Sequence, residues 1–476
     1  MDIKNLTIKK AVGSIKNGEI TATELTEACI QNIKEKDGEI GALLEVFDDA
    51  IETAKKIDER IKAGDKTGAL LGIPMVFKDN ILIEGKIASA GSKILENHRA
   101  VYDATVISNL KKEGAVILGR TNMDEFAMGS STENSAYKIT KNPLDHSRVP
   151  GGSSGGSAAS VVADFALGAL GTDTGGSVRQ PASFCGIIGL KPTYGAVSRY
   201  GAIAMGSSLD QISPFAKNVE DVEILFNVMK GKDSKDSTSQ EYPVQKNQNL
   251  NKRIGVPRGF LDKGVAPEVK ENFEKTLEGL KKAGYEIVDI ELKNIGYSLP
   301  AYYVVMPAEV STNLARFDGV RYGLHLDGVG LLGDYVKSRT AGFGKEVRRR
   351  IMLGNYVLSS GYYDAYYKKA EEVRNLIRSD LNKIFGGPEA VCAFVTPTTP
   401  SVAFKIGEKT SDPLTMYLED IFTVPANIAG IPAISVPCGF TEKDGVKLPV
   451  GFQIQAPHFR EDVLFELGRE VEKIFK

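Results

Sequence analysis

Two glycine-serine runs hold the residues best suited to chemistry. Residues 150–157 read Pro150-Gly151-Gly152-Ser153-Ser154-Gly155-Gly156-Ser157, and residues 171–177 read Gly171-Thr172-Asp173-Thr174-Gly175-Gly176-Ser177. A serine hydroxyl attacks a carbonyl when a base takes its proton and N–H donors receive the oxyanion. Ahead of Ser177, the successive backbone N–H groups of Thr174, Gly175 and Gly176 would form such a donor nest, unobstructed by side chains at the glycines. The base candidate is Lys78, at the end of Gly72-Ile73-Pro74-Met75-Val76-Phe77-Lys78. Apolar neighbours lower an amine's pKa toward the neutral form that a base requires. A strand-end lysine also extends readily to solvent, so these residues alone leave both readings of Lys78 open.

Other chemistries fit the two runs less well. A flexible Gly/Ser linker does not explain the apolar segments that follow or the second Gly-Gly-Ser. A phosphate-cradling loop would need the Gly-Lys-Ser/Thr ending that neither run has. Asp173-Thr174-Gly175 is the tripeptide of an aspartic protease, but such a site needs a second carboxylate motif to share its proton, and the chain has none. Gly151-Gly152-Ser153-Ser154-Gly155 matches a nucleophile elbow formally, with His325 or His458 downstream as base. An elbow follows an apolar strand, whereas Ser147-Arg148-Val149-Pro150 precedes this one.

The elements that would position these groups alternate between strand and helix, which points to an α/β fold. Residues 23–33 and 47–61 have the spacing of amphipathic helices, and residues 71–83 that of a strand and turn. A helix over 103–113, a strand over 115–118 and the start of a helix over 122–128 follow. Helix-like residues 158–165 separate the two glycine-serine runs. Residues 231–251 are polar and aperiodic, as in an exposed loop. A strand–helix–strand unit then covers 253–257, 269–283 and 286–290, followed by helical stretches at 308–317 and 360–384. Apolar runs at 391–395, 433–436 and 451–454 read as core strands, and a helix closes the chain at about 461–474. No linker separates the halves, so the expectation is one large interleaved domain over residues 1–476. It comprises a helical segment to about 65, a core at 70–215, the loop at 231–251 and a second half from 252.

Composition narrows the function classes. The chain has 476 residues, 42% of them hydrophobic and 25% charged, with a net charge of −2. That charge provides no footprint for holding nucleic acid or a membrane surface unaided. The four cysteines, Cys29, Cys185, Cys392 and Cys438, lack metal-site spacing and are too sparse for a disulfide framework. They read as small buried hydrophobes in a reducing compartment. The chain shows neither a targeting segment nor a membrane-length apolar run, which leads to the expectation of a cytoplasmic protein.

In combination, Ile73-Pro74 with Lys78-Asp79, residues 151–159, residues 171–182 and Gly186-Ile187-Ile188-Gly189-Leu190-Lys191-Pro192-Thr193 resemble the amidase signature family. Residues 122–129, 315–323 and 412–417 extend the likeness to one group within it. These are the glutamine-hydrolysing A subunits of the amidotransferases that act on glutamyl-tRNA(Gln) and aspartyl-tRNA(Asn).

The resemblance implies a single α/β domain with a central mixed sheet covered by helices on both faces. It implies Ser177 as nucleophile, Ser153 as the bridge to Lys78, and a cis peptide between Gly152 and Ser153. Thr174, Gly175, Gly176 and Ser177 would supply the oxyanion donors. In the second half, Arg350 would clamp glutamine's α-carboxylate and Asp420 its α-ammonium, with Tyr302 and Gly129 lining the pocket. The family pattern assigns this chain no metal or cofactor. It places ATP and Mg²⁺ in a partner, the B subunit, which also holds most of the misacylated tRNA. A third component, the C subunit, would clasp the other two. A stand-alone amidase acting on other carboxamides is the alternative. It would have no use for Arg350 and Asp420.

Overall fold

In the computed structural model, residues 3–243, 251–261 and 264–475 are described. Eleven strands form one mixed sheet: β1 Leu43–Val46, β2 Pro74–Lys78, β3 Val116–Thr121, β4 Gly168–Asp173, β5 Ile188–Lys191, β6 Gln211–Ala216, β7 Arg253–Val256, β8 Glu286–Asp289, β9 Ala393–Pro397, β10 Ala433–Lys443 and β11 Val446–Gln455. Their order is β1-β3-β2-β4-β6-β5-β10-β11-β9-β7-β8. Every residue of β2, β4, β5, β6 and β9 is buried. A strand with no exposed face needs cover on both sides, and the helices packed along the sheet provide it.

The central placement follows from pairing. Strand β2 lies parallel to both β3 and β4, with Phe77 opposite Leu170. Lys78 therefore ends one strand beside the point where its parallel neighbour runs on toward Asp173. The carboxyl ends of parallel strands are where α/β sheets open room for ligands. From Asp173 the chain turns through Thr174–Val178 into helix Arg179–Cys185, which stops at Gly186 in the left-handed conformation. Ser153 and Ser154 lie just before helix Gly155–Val162, which packs on β4.

Several expected elements hold: the strand–helix–strand unit is β7, helix Pro267–Lys282 and β8, and the closing helix is Glu461–Ile474. Others differ. The helix expected to start at 122–128 is a single tight turn, Glu125–Ala127, in which Phe126 and Ala127 have positive φ of 48° and 61°. The Asp124 carboxylate accepts the N–H groups of Thr132 at 2.9 Å and Asn134 at 3.0 Å, folding the chain back on itself. Phe126 meanwhile inserts between Phe317 and Phe343. At the start of the chain, helix Ile8–Asn17, which buries Ile8, Ala11, Val12 and Ile15, and strand β1 were not among the expected elements, and the helix expected from 47 begins at Ala50. Helix Ser298–Asn313 starts ten residues before the expected 308 and so includes Tyr302. The stretch expected as one helix over 360–384 is a π-helical turn, Asp364–Lys368, followed by helix Lys369–Phe385.

Of the loop expected at 231–251, residues 244–250 lie outside the described residues. The described part has no helix or strand and is tied to the body. Asp233 accepts from Ser198 Oγ at 2.6 Å, and Asp236 pairs with Arg199 at 3.2 Å. No helix among the described residues is long and apolar enough to cross a membrane.

Candidate active site

Lys78 is fully buried. Its Nζ lies 2.7 Å from Ser153 Oγ, 2.8 Å from Ser154 Oγ and 2.9 Å from Thr172 Oγ1. Among the described residues, no carboxylate touches it. The acidic groups whose fields reach it are each bonded elsewhere: Asp124 to the N–H groups of Thr132 and Asn134, Asp173 to Arg179, and Asp210 to Thr174 Oγ1 and the N–H groups of Met205 and Gly206. Burial pushes the Lys78 amine down to about 7, against the opposing pull of Asp124, Asp173 and Asp210. The side chain does not reach solvent, which excludes the extended strand-end reading that the residues alone left open.

The hydroxyls around Nζ suit a neutral amine. Ser154 Oγ donates to the Thr172 carbonyl at 3.2 Å, so it accepts from Lys78. Thr172 Oγ1 accepts Asn80 Nδ2 at 3.1 Å and has capacity for a second N–H. These two oxygens can take the two N–H bonds of an –NH₂ group, whose lone pair could then receive a proton from Ser153, with the Thr172 carbonyl farther off at 3.4 Å. The Gly152–Ser153 peptide is cis, as the resemblance implied.

Ser177 sits beside this group, 8% exposed. Its carbonyl accepts the Ser154 N–H at 3.2 Å, joining the two glycine-serine runs directly. Its hydroxyl makes no hydrogen bond to the described residues, so the contact from Ser153 to Ser177 is not closed here. The nest is narrower than the sequence suggested. Gly176 N–H donates to Asp173 Oδ1 at 2.9 Å, while the N–H groups of Thr174, Gly175 and Ser177 have no partner among the described residues.

What fixes this turn is a buried pair: Asp173, which the sequence offered only as part of an aspartic-protease tripeptide, and Arg179, to which no pattern assigned a role. Arg179 and Asp173 form a fully buried ion pair at 2.9 Å. All five guanidinium donors are used: on Asp173 Oδ1 and Oδ2, Thr423 O, Gln453 Oε1 and Asn427 Oδ1. Asp173 also takes the N–H groups of Gly176 and Val178. Burial alone would raise its pKa, but Arg179 and Asn427 outweigh burial and hold it at about 2. Both residues stand in the runs that carry the family resemblance, yet neither has a signature that separates a structural ion pair from a reactive one.

The second-half residues gather at the same place. Tyr302 lies over Gly175, where an added methyl would stand 2.8 Å from the ring. Thr423 Oγ1 donates to Gly175 O at 2.7 Å. Asp420, three residues earlier, accepts from Ser130 Oγ at 2.7 Å, and burial pushes its carboxyl up to about 8. Arg350 lines a cavity of about 140 Å³ together with Gly129, Ser131, Glu346 and Tyr417. Its Nε bonds Glu346 at 2.7 Å, and its plane packs near Tyr303 and Tyr417. At the far edge, among the described residues, Nη1 meets only the Met306 sulfur at 3.6 Å, so that edge is left without an oxygen acceptor. Neither Asp420 nor Tyr302 lines this cavity; Asp420 reaches it only through Ser130, which lies between the lining residues Gly129 and Ser131.

The histidine alternative finds no support. His325 is bonded to Gly319 O and Asp327, and His458 lies beside Gly430, so Ser153 has Lys78 as its neighbour. All four cysteines are buried and free.

The sequence profile of the family described as Amidase matches residues 24–465. The chain belongs to the amidase family. Within the family, it is 52% identical to the A subunit of the glutamyl-tRNA(Gln) amidotransferase of Thermoanaerobacter pseudethanolicus, covering 100% of this chain and 98% of the relative. It is likewise 52% identical to the protein of the same name from Koribacter versatilis, over 99% of each chain. Among solved structures, the A subunit of the Thermotoga maritima glutamyl-tRNA(Gln) amidotransferase superposes with a TM-score of 0.80 at 41% identity, covering 99% of this chain and 95% of that one. A peptide amidase bound to the competitive inhibitor chymostatin superposes at 0.84 with 29% identity, over 99% and 98% of the two chains. The amidase fold is thus common to relatives with different named activities, and the residues around the cavity must carry the distinction.

Removing one partner of a buried ion pair leaves the other uncompensated. Arg179→Met is expected to lower unfolding free energy by about 3–5 kcal/mol in urea denaturation. A variant as stable as the wild type would show that the pair does not hold the turn.

Proposed function

We propose that the chain is the glutamine-hydrolysing component of a tRNA-dependent amidotransferase. One observation carries the substrate assignment: a buried arginine with an open guanidinium edge lines the cavity, and a buried carboxylate, Asp420, bonds Ser130 between the lining residues Gly129 and Ser131. An α-amino acid presents a carboxylate and an ammonium together, and Arg350 and Asp420 complement that pair. An apolar or peptide amide would leave the open edge of Arg350 without an oxygen acceptor and would offer Asp420 no cation, which disfavours the stand-alone amidase. Full-length identity of about half to proteins named as A subunits supports the same reading.

The geometry suggests the following chemistry. Neutral Lys78 takes the proton of Ser153 as Ser153 takes that of Ser177, and Ser177 Oγ attacks the γ-carbonyl. The N–H groups of Gly175 and Ser177, with Thr174, receive the oxyanion. Collapse breaks the C–N bond, and the proton returns from Lys78 through Ser153 to the departing nitrogen, releasing ammonia and leaving a γ-glutamyl ester on Ser177. Water then reacts along the same relay to release glutamate. Closing the relay requires a small approach of Ser177 Oγ to Ser153 when substrate binds, as reacting groups in empty sites are commonly looser.

Ammonia has use only where an acceptor carboxylate is activated. The B subunit is the proposed place for that step, with ATP and Mg²⁺ and most of the grip on the misacylated tRNA. The net charge of −2 fits such a division. The C subunit would hold the other two together. Glutamyl-tRNA(Gln) is the proposed acceptor, with aspartyl-tRNA(Asn) as a second substrate of the same complex.

Ser177→Ala and Lys78→Ala are each expected to lower glutaminase kcat by at least about 10³-fold. Transamidation from free ammonium salts should persist in both. Retained glutaminase activity in Lys78→Ala would remove lysine as the base. In the wild type, kcat should rise with pH as the lysine loses its proton, because the base is the neutral amine.

Asp420 should govern a different parameter. With a carboxyl near 8 in the empty site, the group is mostly neutral below that pH, yet glutamine's ammonium needs it ionised. Binding must then expel a proton, so KM for glutamine should rise as pH falls below about 8, by up to about tenfold per unit. Asp420→Asn should raise KM and flatten that dependence. An unchanged KM profile in the variant would exclude Asp420 from the ammonium subsite.

A further inference from the structure

Gln180 is fully buried in the first turn of helix Arg179–Cys185, and the chemistry above does not use it. Its backbone N–H donates to Gly176 O at 2.8 Å, which ties it to the serine turn. Its side chain spans two further segments. Nε2 donates to the Ser130 carbonyl at 2.8 Å, and Oε1 accepts the Gly152 N–H at 2.9 Å. Ser130 is the residue whose hydroxyl bonds Asp420, and Gly152 is the residue peptide-bonded to Ser153. The approach is tight: a methyl on Gly151 would stand 2.4 Å from Gln180 Oε1.

An unbroken path therefore runs from the Asp420 carboxylate through Ser130, the Gln180 amide and the Gly152–Ser153 peptide to Lys78. The amide suits this place because one end donates and the other accepts. A methionine of similar length would bond neither neighbour. An ionised glutamate would set a carboxylate oxygen against the Ser130 carbonyl.

We propose that Gln180 is a positioning residue that locks the Ser130 wall of the ammonium subsite to the Ser153 peptide, so that occupancy of the subsite holds Ser153 in line between Lys78 and Ser177. The proposal rests on the glutamine reading given above. It concerns kcat rather than affinity, because Gln180 bonds backbone groups and is not among the residues that line the cavity.

The test uses the chain purified together with its partner subunits and measures glutaminase kcat and KM across pH 6 to 8. Gln180→Met is expected to lower kcat about 10- to 100-fold, the scale of a small misplacement of a reacting group, with KM within about threefold of the wild type. Gln180→Glu nearly preserves shape and guards against a folding artefact. A protonated carboxyl donates and accepts as the amide does, so its kcat deficit relative to the wild type should shrink as pH falls from 8 to 6. Two results would overturn the proposal: a Gln180→Met kcat within twofold of the wild type, or a Gln180→Glu deficit that is the same at every pH. Should the wild type prefer another amide, the glutamine reading falls, while the same comparison on that amide still decides the role of Gln180.

Discussion

The buried pair of Asp173 and Arg179 is the constraint on which the site depends. One carboxylate gathers the N–H groups of the turn, and one guanidinium spends its five donors on acceptors from both halves of the chain. The result is a serine turn whose shape is set by the second half, through Thr423, Asn427 and Gln453. Such a pair contributes little net stability as an alternative to apolar packing, but it is costly to break. Here it also decides which donors stay free: it occupies Gly176 N–H and leaves Gly175 and Ser177 open. Arg179 is part of the reactive geometry without being a reactive group.

Lys78 depends on the same arrangement in another way. A buried amine becomes a base only if nearby carboxylates do not pair with it and hold its proton. Asp124, Asp173 and Asp210 surround it at a distance, and each is bonded to something else. Hydroxyls fill its contacts instead. Burial brings the lysine down to about 7 because every acid within reach has a different partner, while the open edge of Arg350 is left without an oxygen acceptor.

Much of this was legible in the sequence. The two glycine-serine runs and the strand–helix alternation were readable from the residues themselves, whereas Lys78 as base and Arg350, Asp420, Tyr302 and Gly129 as glutamine contacts rested on the resemblance. What escaped has a common physical cause. Gln180 bonds backbone groups 28 and 50 residues away, and no local pattern marks a side chain that bonds a remote peptide. The same holds for residues 122–128, where the Asp124 carboxylate overrides the local helical spacing. Gly176 was expected as an oxyanion donor because its type suits a nest; only geometry shows that Asp173 already holds its N–H. Strand β1, at four residues, is too short to register, whereas helix Ile8–Asn17 does carry helical spacing at Ile8, Ala11, Val12 and Ile15 and was readable from it.

The central claim is that Lys78 is neutral at working pH and serves as the base behind Ser153 and Ser177. The most direct measurement is a pH titration of the Lys78 Cε resonance in carbon-13 lysine-labelled protein, assigned by its disappearance in Lys78→Arg. The account predicts a midpoint near 7. A midpoint at the ordinary lysine value, above about 10, would mean that the amine is charged throughout and would contradict it.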